Sequence, residues 1–257
     1  MINKNYSVLE RIGLEIPVIG VKFAMTKPAD LPKLKEKVAL CGMLKYAQDN
    51  GGFYASAAEH ECKLGPYLLN QTEGDPITES GQIGPHIGVY EDARANRQIY
   101  THMLRPEAGT APYTWFAKMN EVTFDPDLMI ITAKPNQAEV IMRAHGYRNG
   151  AAWEAKGTTV CGCEYMYMYP YLTGKMNVLI SGLHHGMKAR QFFQEGLLFI
   201  VVPFQLIPTI IDNLETMEAK GILDLPQYHW GREAHADHMK NIHGEMMKEI
   251  EAANARE

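Results

Sequence analysis

The chain has 257 residues, of which 46% are hydrophobic and 21% are charged, and its formal net charge is -5. This composition is ordinary for a globular protein and supplies enough apolar side chains for a sizeable core. No basic run stands out, so the sequence lacks the electrostatic pattern of a nucleic-acid-binding protein. The first residues are polar and resemble no secretory signal, and the longest apolar stretch, Leu197–Ile211, is too short to span a bilayer. We therefore expect a soluble, cytoplasmic protein without a membrane partner.

The first part of the chain alternates between helical and extended patterns. The predicted elements are a helix over Tyr6–Leu14, a strand over Ile16–Phe23, a helix over Leu34–Asp49 and a strand over Phe53–Ala57. Residues 70–119 are rich in glycine, proline and polar side chains, and the only element predicted there is a helix over Asp92–Leu104.

The second part of the chain contains the most apolar strands. The predicted elements are strands over Leu128–Thr132, Gly157–Val160, Asn177–Ile180 and Leu198–Val202, and helices over Asn136–His145 and Leu206–Lys220. A polar, histidine-rich helical tail follows. The methionines of the Tyr165–Tyr171 stretch are expected to fill gaps in the core.

These elements form two similar patterns, at about residues 15–70 and 125–205. Each has a strand, a Lys-Pro pair, a helix, a glycine-containing break and a strand that ends at a cysteine, Cys62 or Cys163. The prediction is an α/β fold, with α+β as the alternative, in which a single compact domain over residues 1–225 contains two β-α-β-like halves. Residues 226–257 form the tail. In this scheme Cys62 and Cys163 occupy equivalent strand ends and meet across a pseudo-two-fold axis, with Cys41 nearby.

Four cysteines in a chain without a signal peptide favour metal binding, catalysis or simple burial over a disulfide framework. Free cysteine is often a buried small hydrophobe, which is an equally good interpretation of the spacing alone. Two observations favour chemistry. Glu59, His60 and Glu61 surround Cys62 with ionisable groups, and Cys161-Gly-Cys163 places two thiols at a predicted strand end, where ligands of open α/β sheets bind.

Several motifs resemble a known family. The most specific is the run Pro170-Tyr-Leu-Thr-Gly-Lys175, which follows Cys163 closely. Further matching positions are Pro17–Phe23, Cys41, Cys62 with a glycine behind it, Asp127–Pro135 with Gln137-Ala138, Arg190 and Pro203. Together they resemble the archaeal and bacterial ArCR family, a domain of unknown function, over nearly the whole chain except the tail.

The resemblance implies one α/β domain in a mostly prokaryotic, often anaerobic, setting, with Cys41, Cys62 and Cys163 as the positions of interest. Many relatives carry a further cysteine after the Thr-Gly-Lys run, whereas this chain has Ile180–His185 there. If these thiols hold a cluster, the fourth ligand is therefore Cys161, His184 or His185, or one iron stays open.

The leading hypothesis is an oxygen-sensitive iron–sulfur protein with a 4Fe-4S cluster on Cys41, Cys62 and Cys163, and Cys161 as a possible fourth ligand. Thiolates are the usual ligands of such clusters, and zinc is the alternative metal. An open iron acts as a Lewis acid, so lyase or reductase chemistry on a small anionic metabolite is expected. The expected catalytic groups on the substrate side are His60, Glu61, His184 and Arg190, with Arg190 as an anion clamp.

Two other classes of protein remain possible. One is an electron-carrying or binding module whose cluster is fully ligated by protein groups, and the other is a metal-free Cys/His thiol enzyme. Nucleotide-binding enzymes and serine hydrolases are disfavoured, because the sequence has no phosphate-binding glycine loop and no nucleophile elbow. The tail carries His229, His235, His238 and His243, which we interpret as solvated rather than metal-binding. A homo-oligomer is compatible with the sequence.

Overall fold

The structure, a computed structural model, describes residues 5–255. The strands are β1 (Ile19–Ala24), β2 (Phe53–Ala55), β3 (Tyr113–Lys118), β4 (Leu128–Ala133), β5 (Asn177–Ile180) and β6 (Leu198–Pro203). They form one six-stranded sheet in the order β2-β3-β1-β4-β6-β5, and every neighbouring pair is antiparallel. The predicted mixed fold is confirmed, and of the two classes considered the antiparallel sheet corresponds to α+β.

The helices vary in length from one turn to several turns. They are α1 (Val8–Arg11), α2 (Leu40–Asn50), α3 (Leu64–Leu68), α4 (Pro76–Glu79), α5 (Ile83–His86), α6 (Ala93–Thr101), α7 (Pro135–Gly146), α8 (Tyr169–Thr173), α9 (His185–Ala189), α10 (Ile207–Ala219) and α11 (Gly231–Asn254). A π-helical turn over Glu164–Met168 leads directly into α8. Among the described residues, no helix combines the length and the apolar character needed to cross a membrane.

The strand order is pseudo-symmetric about the seam between β1 and β4. In both halves the central strand (β1 or β4) is separated from the edge strand (β2 or β5) by the last strand of that half (β3 or β6). A helix precedes each edge strand, α2 in the first half and the π-helical turn with α8 in the second, and a short helix follows it, α3 or α9. Each half thus contains a strand, a helix and a second strand, but the first half ends with β3 at residue 118, beyond the predicted bound of about residue 70.

One face of the sheet carries the larger part of the core. Val21 of β1, Ile130 of β4 and Val201 of β6 pack there with Leu44 of α2 and Tyr167 of the π-helical turn. Met166 and Met168 are completely buried, as expected for gap-filling methionines. The Tyr167 hydroxyl donates a hydrogen bond of 3.1 Å to the Leu40 carbonyl, which joins the π-helical turn to the start of α2.

Three details of the sequence prediction are wrong. Residues Gly157–Val160 form no strand, so the strand that corresponds to β2 is β5, which lies after Cys163 rather than before it. The strand β3 was not predicted, because its apolar run is short and lies in the glycine- and proline-rich middle segment. The helix predicted from Leu34 begins at Leu40, since the preceding residues are extended: Lys33 pairs with Tyr54 of β2, and Val38 pairs with His60.

The chain divides into two compact units, Met1–Glu215 and Thr216–Glu257. The second unit contains the end of α10, a 3-10 turn over Pro226–His229 and α11, so the predicted helical tail is confirmed over its described part. Within this unit His229 contacts Asp224 at 3.1 Å, and the His238 ring packs edge-to-face on Trp230.

Candidate metal centre

All four cysteines line one cavity of about 260 Å³ in the first unit. Cys41 lies in the first turn of α2, and Cys62 lies just before α3. Cys161 and Cys163 lie just before and at the start of the π-helical turn. The fold therefore gathers thiols that are up to about a hundred residues apart in the sequence, as the cysteine hypothesis requires.

Backbone hydrogen bonds explain how these segments meet. The Glu61 N–H donates to the Val38 carbonyl at 3.2 Å, which holds the Cys62 segment against the residues that lead into α2. In the second half the His185 N–H donates to the Thr159 carbonyl at 2.8 Å, which holds the segment after β5 against the residues that lead to Cys163. The equivalent cysteines are thus Cys41 and Cys163, each at the start of the helix before an edge strand. The predicted equivalence of Cys62 and Cys163 is wrong, because Cys62 follows its edge strand.

Cys41 and Cys163 form a hydrogen-bonded thiol pair. The Cys163 thiol donates to Cys41, and this bond, assisted by the positive charge of Arg190, lowers the pKa of the Cys41 thiol. The same bond, together with burial and the neighbouring thiols, raises the pKa of Cys163. Because the start of a helix also favours a negative charge, Cys41 is the thiol best placed to ionise.

The Cys62 thiol accepts hydrogen bonds from the backbone N–H groups of Leu64 and Gly65. Burial nevertheless raises its pKa, and the nearby Cys41 adds to the shift. These backbone donors belong to the start of α3, so they are oriented toward the sulfur without any movement of side chains. The site can therefore hold a negative Cys62 sulfur once a positive group compensates for burial.

Cys161 differs from the other three cysteines in its backbone. Its φ is 59°, a left-handed conformation that is uncommon for a residue with a side chain. Burial raises the pKa of its thiol to about 12, and the Tyr100 hydroxyl lies beside it. Such strained residues concentrate at functional sites. Cys161 is therefore held in place against a conformational preference.

His184 is the buried imidazole of this cavity. The residue is only 4% exposed, and both ring nitrogens are buried without a hydrogen-bond partner. Burial lowers its pKa to about 4, so the ring is neutral at pH 7. Its ring packs on Gly162, where a Cβ atom would lie 2.2 Å from the ring atoms. The glycine between Cys161 and Cys163 is thus required by the close approach of His184.

Arg190 is the charged side chain of the cavity wall, and about a third of its side chain is exposed. Its Nε donates to a Glu61 carboxylate oxygen at 3.2 Å, and its Nη1 donates to the Gly186 carbonyl at 3.1 Å. The structure therefore brings Glu61 to the site through Arg190. Because a guanidinium has five N–H donors, these two bonds leave capacity for an anion.

Two predicted site residues do not line this cavity: Glu61, which contacts it only through Arg190, and His60. His60 is 8% exposed, both of its ring nitrogens are buried without a hydrogen-bond partner, and burial lowers its pKa to about 4. Its Nδ1 lies 2.4 Å from the position that a Cβ of Gly65 would occupy, and the ring borders a neighbouring cavity of about 440 Å³. Gly65 therefore separates His60 from the thiols.

The sequence did not identify two further features of the site. The middle segment supplies an apolar wall, which consists of Ile83, Ile87 and Met103. Glu164 is 1% exposed, burial raises its pKa to about 7, and it accepts a hydrogen bond of 3.0 Å from the Leu104 N–H. This bond ties the wall to the cysteine segment. The only sequence signal was the carboxylate next to Cys163.

The donor set is compatible with an iron–sulfur cluster because it combines soft thiols, backbone N–H donors and a neutral imidazole without a hydrogen-bond partner. Between residues 5 and 255, no three or more histidine, cysteine, aspartate or glutamate side chains form a group that could hold a metal ion. Binding of a cluster and binding of zinc are both still predictions.

The fold and the cavity define a class of mixed α and β proteins with two pseudo-symmetric halves and thiols gathered between them. Within that class, the chain belongs to the uncharacterised ArCR family, a domain of unknown function whose model matches residues 8–213. An uncharacterised protein of Methanocaldococcus jannaschii is 25% identical over 153 residues, which cover 58% of this chain and 65% of the relative. The chain thus spans less than two thirds of that relative's length. No solved structure matches the chain.

Proposed function

We propose that this protein binds a 4Fe-4S cluster through Cys41, Cys62 and Cys163. The observation that supports the proposal is that these thiols, which come from three separate segments, line one cavity together with Arg190. Thiolates are the most common cluster ligands, and each one bonds a different iron. Three thiols that line one cavity are suitable ligands for such a group.

The surroundings of the thiols also favour negative sulfur atoms. Cys41 has the start of α2 and the charge of Arg190, and Cys62 has the N–H groups of Leu64 and Gly65. Hydrogen bonds to the sulfurs and net charge are the factors by which a protein tunes such a cluster. These groups support a cluster that is stable and electrostatically compensated.

We further propose that the site is enzymatic and acts on a small anionic metabolite by lyase or reductase chemistry. The cavity of about 260 Å³ must hold the cluster as well as the substrate, so it suits only a small molecule. Arg190 is the anion-binding group and Glu61 orients it, while His184 is a neutral proton acceptor or a ligand. In this proposal His60 does not contact the substrate, because Gly65 lies between its ring and the thiols. When bound, the cluster supplies electrons or, at an open iron, Lewis acidity.

The test is the iron, zinc and acid-labile sulfide content of protein purified without oxygen. We expect iron with matching sulfide in the wild type and loss of both in Cys62→Ala. The matched control is Cys161→Gly, which removes a thiol of the same cavity and suits the φ of 59°. We expect Cys161→Gly to keep its iron. A colourless wild type free of iron contradicts the proposal, and zinc without sulfide contradicts it in favour of a zinc site.

A second candidate is the metal-free thiol enzyme, and the Cys41–Cys163 pair favours it. The lowered pKa of Cys41 is typical of an activated nucleophile. This candidate predicts that Cys41 is alkylated by iodoacetamide faster than Cys62 at neutral pH in protein free of iron, with Cys163→Ser slowing the reaction. Equal slow alkylation of Cys41 and Cys62 contradicts it.

A further inference from the structure

The pseudo-symmetry of the sheet extends to the groups around the cavity. Each half contributes a thiol from the start of the helix before its edge strand, Cys41 in the first half and Cys163 in the second. Each half also contributes a donor from the segment between its edge strand and the next short helix. In the first half this donor is Cys62, just before α3, and in the second it is His184, the residue before α9.

His184 has the features of a metal ligand, because its imidazole is buried and its ring nitrogens are unpaired. The residue is 4% exposed, it lines the thiol cavity, and neither ring nitrogen has a hydrogen-bond partner. A buried polar group without a partner costs free energy, on the order of that of a lost hydrogen bond. The close packing of its ring on Gly162 fixes its position beside Cys163.

We propose that the His184 imidazole is the fourth protein ligand of the cluster. The four-donor set is then Cys41, Cys62, Cys163 and His184, two donors from each half. This inference rests on the proposed function and deepens it, because it decides how the fourth position is filled.

The two rival donors of this cavity fit less well. Cys161 adopts a left-handed backbone conformation with a φ of 59°, and its thiol already lies beside the Tyr100 hydroxyl. His185 also lines the cavity, but it is partly exposed and its main chain is engaged with Thr159. Neither residue combines the burial of His184 with donor atoms that lack a hydrogen-bond partner.

A fourth protein ligand has a chemical consequence for the site. With His184 as a ligand, all four irons would carry a protein ligand, so the cluster would supply electron transfer rather than Lewis acidity, and the reductase alternative is favoured over the lyase. A neutral imidazole in place of a thiolate removes one negative charge, which raises the reduction potential of a cluster. Bound in this way, the cluster would relay electrons from an external one-electron donor to an anion held by Arg190, rather than bonding that anion.

The experiment uses anaerobically purified full-length protein that carries isotopically labelled histidine, with the cluster reduced by dithionite. We expect electron–nuclear spectroscopy to detect coupling between the cluster and one imidazole nitrogen in the wild type. In His184→Cys we expect full iron and sulfide content, no nitrogen coupling and a reduction potential shifted to lower values. The matched controls His185→Ala and His60→Ala should retain the nitrogen coupling.

The possible outcomes separate this inference from the proposed function. A wild type without iron and sulfide overturns the proposed function and the inference with it. A wild type with a cluster but without imidazole coupling overturns the inference alone, as does coupling that persists in His184→Cys. Loss of coupling in His185→Ala, with coupling retained in His184→Cys, assigns the ligand to His185 and also overturns the inference.

Discussion

The two connections that follow the edge strands differ greatly, although they occupy equivalent places in the sheet. The connection from β2 to β3 spans residues 56–112 and contains α3 to α6, whereas the connection from β5 to β6 spans residues 181–197 and contains only α9. The long connection supplies Cys62 and the apolar wall, and the short one supplies His184 and Arg190. Both halves supply thiols, but the long connection adds an apolar wall, whereas the short one adds the imidazole and the guanidinium.

The largest expected effect concerns the core that the two halves share. Phe116 of β3 and Phe199 of β6 belong to the same buried cluster, one in each half. We expect Phe116→Ala and Phe199→Ala each to lower the free energy of unfolding by about 3–5 kcal/mol, because each leaves a cavity. Urea denaturation followed by circular dichroism should show one shifted transition in both variants. A transition that splits into two would show that the halves unfold independently.

The next largest loss of stability is expected at the start of the edge strands, where β2 begins with Phe53 and β5 begins with the buried Asn177. The Asn177 side chain accepts from the Lys156 N–H at 2.9 Å and donates to the carbonyls of Lys156 and Tyr165 at 2.9 and 2.8 Å. Asn177→Ala leaves these groups without partners, so we expect a loss of about 3 kcal/mol in unfolding free energy.

The matched control for this prediction is Val178→Ala in the same strand. Val178 is only partly buried, so its truncation should cost clearly less than that of Asn177. Equal losses of stability in the two variants would contradict the anchoring role of Asn177.

A smaller loss of stability is expected from Gly162→Ala, since the new Cβ would lie 2.2 Å from the His184 ring. The ring must move, at a cost of about 1–2 kcal/mol, and the imidazole coupling proposed above should weaken. Gly182→Ala is the control because nothing lies within 4 Å of the Cβ position at Gly182. Thermal unfolding and the nitrogen coupling measure the two effects. An unchanged coupling in Gly162→Ala would contradict the placement of His184.

The smallest effect concerns the seam between the halves, where Asp127 accepts a hydrogen bond of 2.7 Å from the Phe23 N–H. Burial raises the pKa of Asp127 above its ordinary value of 3.8. The folded state therefore binds this proton more tightly than the unfolded state, and this contribution to stability is lost as the pH rises from about 3.8 through the folded pKa.

Asp127→Asn should remove this pH dependence. Urea denaturation between pH 4 and 7 should give a stability difference, wild type minus variant, that decreases as the pH rises. A difference that increases with pH would show that the ionised carboxylate is favoured in the fold.

Strong local patterns made much of the fold predictable. Leu128–Thr132 and Leu198–Val202 are continuous apolar runs, and the strands β4 and β6 lie there. The cavity was predictable only as a set of residue types, because a cysteine spacing does not state which elements meet. Gly157–Val160 looked like a strand because its β-branched residues were judged locally, whereas the pairing partner is a tertiary property.

The π-helical turn and the role of Gly162 depend on packing and left no local signal. The wrong equivalence of Cys62 and Cys163 has the same origin. Both cysteines follow extended-looking residues, and only the sheet order reveals that Cys163 precedes its edge strand.

The seam between β1 and β4 has a consequence for synthesis in the cell. The proposed donors come from both halves, and the last of them, His184, lies beyond two thirds of the chain. On the ribosome the first half emerges with Cys41 and Cys62 but without their counterparts. If both halves supply the ligands as proposed, the metal can be inserted only after both halves have been translated and joined, and cofactor content would then indicate completed assembly.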